Sequence, residues 1–341
     1  MNKFLSFSEA RKRTICEQVQ DKLGLPPATI EKDFWVCWTL KKLFTLPEWG
    51  SRLTFKGGTS LSKGWALIER FSEDIDIVIS RGALGFGGDM APDRAPSKKQ
   101  MRNRLKALKT ASQQCVTKIL LPLLENAMSR EMPSELSWRL HPDPDDPDGQ
   151  TLLLVYPTAF SDRTTYLEQV VKIELGARSD TEPTQDIDIH PYLEDAFPNL
   201  FPQSHFNVKT VSPHRTFWEK ALLLHEETFR PPKKKRKARM ARHYYDLYRL
   251  IKAGIGREAA GDLELFERIT AHRQIYFRFT WVNYDTMRPG QLRLVPTEEQ
   301  VALWKSDYTA MKDEMFFGKP PEFEEMIQTV RAFQDEFNTT V

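Results

Sequence analysis

Residues 55–79 constrain this chain more than any other stretch. They read Phe-Lys-Gly-Gly-Thr-Ser-Leu-Ser-Lys-Gly-Trp-Ala-Leu-Ile-Glu-Arg-Phe-Ser-Glu-Asp-Ile-Asp-Ile-Val-Ile. A short strand over 53–56 runs into the turn Gly57-Gly58-Thr59-Ser60. A helix is expected over 60–70, then a strand over 74–79 that carries Asp74 and Asp76. Successive strand residues face opposite ways, so the two carboxylates share one face. Two carboxylates on a rigid face suit Mg²⁺, which takes oxygen ligands and keeps its waters for substrate phosphates. A small-residue turn one helix upstream can bring backbone N–H groups to those phosphates. The layout implied is that of a nucleotide-transferring enzyme.

Each residue of the stretch has a plainer alternative. Gly57 and Gly58 allow close approach to a triphosphate, or simply a tight strand-to-helix turn. The Thr59 and Ser60 hydroxyls can donate to phosphate oxygens or cap the helix. Lys63, one turn in, can reach a phosphate or stay solvated. Ser72 completes a Ser-x-Asp-x-Asp pattern. No Walker loop and no dinucleotide fingerprint is present. A lone Asp-x-Asp means little. Asp186-Ile-Asp188 has no glycine turn before it and reads as a surface strand or loop. Glu174, between apolar residues in Val-Val-Lys-Ile-Glu-Leu-Gly, is the candidate third carboxylate. Its alternative is a salt bridge to Lys172 or an arginine.

A length of 341 residues suits one large or two modest domains. The net charge of +2 gives no whole-chain argument for nucleic acid, so that argument must be local. Cys16, Cys37 and Cys115 are sparse and show no metal-ligand spacing, which fits a reducing compartment. The N-terminus lacks the apolar core of a signal peptide, and no run reaches the roughly 18 apolar residues of a spanning helix. A cytoplasmic protein with no membrane partner is expected. Helices are expected over 8–22, 28–44, 98–129, 215–227 and 241–253, strands over 136–140, 152–156 and 166–175, and a loop over 81–96. Glu31, Lys32 and Asp33 read as a solvated first turn. The acidic turn at 143–149 reads as a plain hairpin loop rather than a calcium loop. A change of character near 211 divides the chain into 1–210 and a helical 211–341.

Lys220 and Asp246 each interrupt an aromatic and aliphatic helix. They suggest a buried ion pair or a substrate contact, and periodicity alone favours core packing. Between those helices lies a basic run. Arg230, Lys233, Lys234, Lys235, Arg236, Lys237, Arg239 and Arg242 place eight cations within thirteen positions. Such density attracts RNA or polyphosphate by counterion release. The alternatives are a solvated loop or a resemblance to a nuclear-import signal.

Together these segments resemble the AbiEii/AbiGii family of bacterial nucleotidyltransferase toxins, which includes MenT-like members of type IV toxin–antitoxin and phage-defence loci. The resemblance rests on Phe-Lys-Gly-Gly-Thr-Ser-Leu-Ser-Lys with Arg-Phe-Ser-Glu-Asp-Ile-Asp, on Glu219-Lys220, and on Arg242-His-Tyr-Tyr-Asp246-Leu. It extends to Asp307-Tyr308 with Met311 and Pro321. It implies an α+β fold: a polymerase-β-like core, a mixed sheet flanked by helices, with a helical C-terminal domain that completes the site. It implies Asp74 and Asp76 at the metal, Thr59 and Ser60 on phosphates, and Lys220 and Asp246 in the site. The expected activity is Mg²⁺-dependent transfer of NMP from an NTP to an RNA 3′ end, tRNA foremost, which blocks translation. A cognate antitoxin is an expected partner. The alternatives are nucleotidylation or phosphorylation of protein by the same site, and a non-catalytic nucleotide-binding module.

Overall fold

The computed structural model describes residues 1–72, 74–160, 169–201, 204–316 and 319–339. They form two compact units: Met1–Gly64 with Phe71–Thr210, and Trp65–Arg70 with Val211–Val341. The first unit is built on a mixed sheet of seven strands. These are β1 (Leu53–Lys56), β2 (Ile75–Ile79), β3 (Arg139–Pro142), β4 (Thr151–Val155), β5 (Val170–Gly176), β6 (Thr184–Ile189) and β7 (Phe206–Val211), in the order β3-β4-β5-β2-β1-β7-β6. Strand β2 lies antiparallel to β1 and parallel to β5, and β7 lies parallel to β1. The expected strand over 166–175 is β5, and its residues 166–168 lie outside the described residues. Val171, Ile173 and Leu175 of β5 are buried, while Lys172 and Glu174 lie on the opposite face.

Helix α1 (Glu9–Leu23) starts on a Ser8 cap and stops at Gly24 in the left-handed region, at φ 70°. Helix α2 (Pro27–Phe44) opens with proline in its first turn and is buried on nearly every side. Its triplet Glu31, Lys32 and Asp33 is buried, not solvated. Glu31 accepts hydrogen bonds from Thr158 Oγ1 at 2.6 Å and the Ala159 N–H at 2.9 Å, and Asp33 accepts one from the Tyr192 N–H at 2.7 Å. Buried charge persists here because each carboxylate is met by donors. The helix expected over 98–129 is α3 (Lys98–Cys115), a π turn at Val116–Leu120, and a further helix Leu121–Ser129. Pro122 has no N–H to give the preceding turn, which accounts for the local widening. The acidic turn between β3 and β4 is held by the Asp146 carboxylate, which accepts from the Asp148 and Gln150 N–H groups and from Thr151 Oγ1.

The second unit is helical: α4 (Pro213–Thr228), α5 (Arg242–Lys252), α6 (Leu263–Tyr276), α7 (Glu298–Met315) and α8 (Phe323–Thr339), with a short helix at Ile255–Gly261. Trp218 of α4 anchors its core, with ring centroids 4.6 Å from Phe266 and 5.0 Å from Phe337. Among the described residues, no helix is long and apolar enough to cross a membrane.

His225 of α4 is wholly buried. Its Nδ1 accepts from the Arg293 N–H at 3.0 Å, and its Nε2 lies 3.1 Å from Thr286 Oγ1. Burial, and then the Arg293 charge, push its pKa down to about 4. The folded state therefore favours the neutral ring. That contribution is complete above the ordinary value near 6.5 and is lost as pH falls towards about 4. Urea unfolding between pH 7 and 4.5 is expected to show a decline about 2 kcal/mol steeper in the wild type than in His225→Gln.

Candidate active site

The first unit gathers carboxylates at one end of its sheet. In register, Asp76 of β2 lies between Lys56 of β1 and Glu174 of β5. All three share the open face of the sheet. Gly57 follows β1 directly with φ 84°, a conformation that favours glycine. A Cβ at position 57 would lie 1.9 Å from Asp76 Oδ2. The Asp76 carboxylate therefore occupies space that any other residue at 57 would fill. Asp74 lies just before β2 rather than within it.

Thr59 and Ser60 are fully buried. The Thr59 hydroxyl donates to the Asp74 carbonyl and lies 2.9 Å from Ser72 Oγ. Ser60 Oγ donates to the Gly57 carbonyl at 2.9 Å. Both hydroxyls thus brace the turn and the entry to β2 from inside. The helix expected over 60–70 is shorter: Gly57–Thr59 is followed by a π turn at Ser60–Gly64 and stops there. Gly64 passes so close to β6 that a Cβ would lie 3.2 Å from the Ile187 side chain, and Ala66 takes a left-handed φ of 52°. Lys63 turns inward. Its ammonium lies 2.9 Å from Asp33 Oδ1 and 3.6 Å from the centroid of the Tyr192 ring. Burial opposes the charge on Lys63, yet Asp33 holds its pKa above the ordinary lysine range.

Glu174 is half-exposed, and Lys172 Nζ lies 3.0 Å from its Oε1. Lys172 is partly buried, which opposes its charge, but Glu174 and then Asp74 raise its pKa. The salt bridge to Lys172 given as the alternative for Glu174 is thus present, and Lys172 is a cation of this face. The donor set of Asp74, Asp76 and Glu174 is all oxygen, and the missing Cβ of Gly57 leaves room for the Asp76 carboxylate. These residues fit a hard divalent ion such as Mg²⁺. Asp186 and Asp188 are on β6 at the edge of the sheet, both exposed.

The second unit holds its own cluster. Asp246 of α5 is fully buried. Arg70 grips it bidentately, Nε to Oδ1 at 2.6 Å and a terminal nitrogen to Oδ2 at 2.8 Å, while Lys220 Nζ lies 2.8 Å from Oδ2. Burial alone would raise the Asp246 pKa, but Arg70 and Lys220 hold it well below the usual carboxylate range. Arg70 was not singled out in the sequence. It opens the Arg-Phe-Ser-Glu-Asp-Ile-Asp motif but was given no role there, and its partner lies 176 positions away. In the basic run, Lys233, Lys234, Lys235 and Lys237 are exposed. Lys234 lies 3.8 Å from the Trp281 ring centroid. Arg236 is taken up by Glu227 at 3.0 Å and by the Trp304 ring at 3.8 Å. Asp307 accepts from the Arg239 and Ala241 N–H groups, each at 2.7 Å, and so fixes the approach to α5 ahead of Arg242. Tyr308 donates to the Pro321 carbonyl at 2.7 Å.

Gly57→Ala is expected to lower NTP-dependent labelling of acceptor about a hundredfold while unfolding free energy falls by only about 1–2 kcal/mol. Asp246→Asn leaves two buried cations facing a neutral amide, and urea unfolding should show a loss of about 3–5 kcal/mol. Because the folded Asp246 pKa is depressed, this difference should be full at pH 7 and shrink only below about pH 4.

No curated protein sequence matches this chain. Among solved structures it is similar to JHP933 from Helicobacter pylori, with 14% identity and a TM-score of 0.45 over 92% of this chain and 93% of that one. It is also similar to MenT4, a nucleotidyltransferase toxin from Mycobacterium tuberculosis H37Rv, with 15% identity and a TM-score of 0.46 over 98% and 91%. The sequence profile of the family described as "Nucleotidyl transferase AbiEii toxin, Type IV TA system" matches residues 38–334. With most of its length covered by that match, the chain belongs to the AbiEii family of nucleotidyltransferase toxins, the toxin half of type IV toxin–antitoxin systems.

Proposed function

We propose that this enzyme transfers a nucleoside monophosphate from an NTP to the 3′ hydroxyl of an RNA, with tRNA the foremost acceptor, and thereby blocks translation. The observation that carries this reading is the Asp76 carboxylate lodged against the Cβ-less Gly57, with Glu174 beside it in register. Mg²⁺ held by Asp74 and Asp76 would supply charge neutralisation for the triphosphate and the departing pyrophosphate.

The chain's own residues supply the rest. The Gly57-Gly58 turn, braced by Thr59, Ser60 and Ser72, lets backbone approach the triphosphate closely. Lys63 anchors that turn to Asp33 rather than meeting substrate. Glu174 takes the proton of the attacking 3′ hydroxyl, whose oxygen forms the new P–O bond as pyrophosphate leaves. Lys220 offers counter-charge to the phosphates, and Asp246 with Arg70 fixes its position. The exposed Lys233, Lys234, Lys235 and Lys237, with Arg239 and Arg242, grip the RNA backbone, while Arg236 stiffens the run through Glu227. The antitoxin partner follows from the family.

The test is incubation of purified protein with each labelled NTP, Mg²⁺, total RNA and lysate protein. Label is expected in tRNA, and Asp74→Asn or Asp76→Asn should lower it about a thousandfold at unchanged melting temperature. Undiminished labelling by Asp74→Asn would refute the assignment of the carboxylates. Label in the protein fraction alone would move the acceptor from RNA to protein.

A further inference from the structure

Away from the Asp74 and Asp76 carboxylates, the first unit gathers two histidines and three carboxylates. Asp188 lies near the end of the edge strand β6, His190 just beyond it, and His205 immediately before β7. One ligand atom from each of these three lies within 4.8 Å of the others. The two imidazole rings are 4.3 Å apart between centroids. His205 Nδ1 contacts Asp188 Oδ2, and its Nε2 lies 3.2 Å from Glu194 Oε1. His190 Nε2 lies 2.8 Å from Asp195 Oδ1. Glu194 and Asp195 stand on the short helix Tyr192–Ala196.

Two further observations point to a cation site. Glu194 is only 8% exposed, and its Oε2 has no hydrogen-bond partner among the described residues. The same holds for His190 Nδ1, the ring nitrogen that Asp195 leaves available. A buried carboxylate oxygen without a donor is unfavourable, and three carboxylates in one cluster call for positive charge. Among the described residues, no lysine or arginine forms an ion pair with Asp188, Glu194 or Asp195.

We propose that Asp188, His190 and His205 bind one first-row transition ion of the Zn²⁺ class, with Glu194, on the other nitrogen of His205, orienting that ring. Imidazole with carboxylate suits Zn²⁺ and disfavours Mg²⁺. A tetrahedral centre with ligand bonds near 2.0–2.1 Å needs ligand atoms about 3.3 Å apart, which rotation of the half-exposed Asp188 and His205 side chains provides. Asp195 then orients His190 through its other nitrogen, the usual support for a metal-bound imidazole. The ion would tie the free edge of the sheet to the start of β7 and to the helix that carries Tyr192, the ring over Lys63. Its role is structural, and it is separate from the Mg²⁺ proposed for transfer.

The test uses the full chain carrying Asp74→Asn and Asp76→Asn, so that ions at those carboxylates do not contribute. After removal of metal with a chelator, it is titrated with Zn²⁺ against a chromophoric competitor, and its melting temperature is followed. One Zn²⁺ per chain and a raised melting temperature are expected, and Co²⁺ in its place should give the visible absorption of a tetrahedral site. Adding His190→Ala and His205→Ala should weaken binding at least about tenfold and abolish the thermal shift. Should that variant fail to fold by circular dichroism, Asp188→Asn gives the same comparison. No Zn²⁺ bound by the background chain, or unchanged affinity after the histidine or Asp188 substitutions, would overturn the proposal.

Discussion

The open face of the sheet depends on the hydrogen atom that Gly57 carries in place of a side chain. Asp76 reaches its position because nothing larger stands at 57, and Gly57 can stand there only because its left-handed φ is cheap for glycine. The surrounding hydroxyls hold this arrangement from within. Thr59 ties the turn to the Asp74 carbonyl, and Ser60 ties the turn to itself. A backbone turn and two buried hydroxyls thus brace the chain around the two aspartates. This is preorganisation of the kind that lets charge stabilisation act without reorganisation at the moment of reaction.

Several buried charges among the described residues are answered by a partner. Asp33 meets Lys63 and the Tyr192 N–H, and Asp246 meets Arg70 and Lys220. Glu226 of α4 meets Arg273 of α6 through two contacts of 2.6 and 2.5 Å. Such pairs add little net stability over apolar residues of the same volume, but removing one partner is severe. They therefore act as locks on geometry. A helix such as α2, buried on nearly every side, holds Glu31 and Asp33 at positions where a donor from elsewhere in the unit arrives.

Much of this was legible in the sequence. The strand and glycine turn follow from side-chain period and turn chemistry, although β2 begins one residue after Asp74, and the alternation of β5 placed Glu174 opposite its buried neighbours. The family resemblance carried by the same residues agrees with the family match, and the seven-stranded mixed sheet with its helices agrees with the expected α+β class. What escaped most often has partners distant in sequence. Glu31, Lys32 and Asp33 look like a solvated turn until Thr158, Ala159, Tyr192 and Lys63 are placed around them. Thr59 and Ser60 carry the same hydroxyls whether they face phosphate or backbone. Arg70 opens a family motif, but its role shows only once Asp246 is found. The helix expected to reach residue 70 ends at Gly64, where close packing against Ile187 decides the matter and local propensity does not.

The segment Trp65–Arg70 belongs to the second unit although the first unit surrounds it in the chain, so the polypeptide passes between units after Gly64, after Arg70 and after Thr210. During synthesis this segment emerges long before α5, and Arg70 waits for 176 residues before its carboxylate exists. The second unit thus cannot mature as an independent tail added to a finished first one. An exchange of the helical unit between relatives must also carry residues 65–70, or Asp246 is left with Lys220 alone.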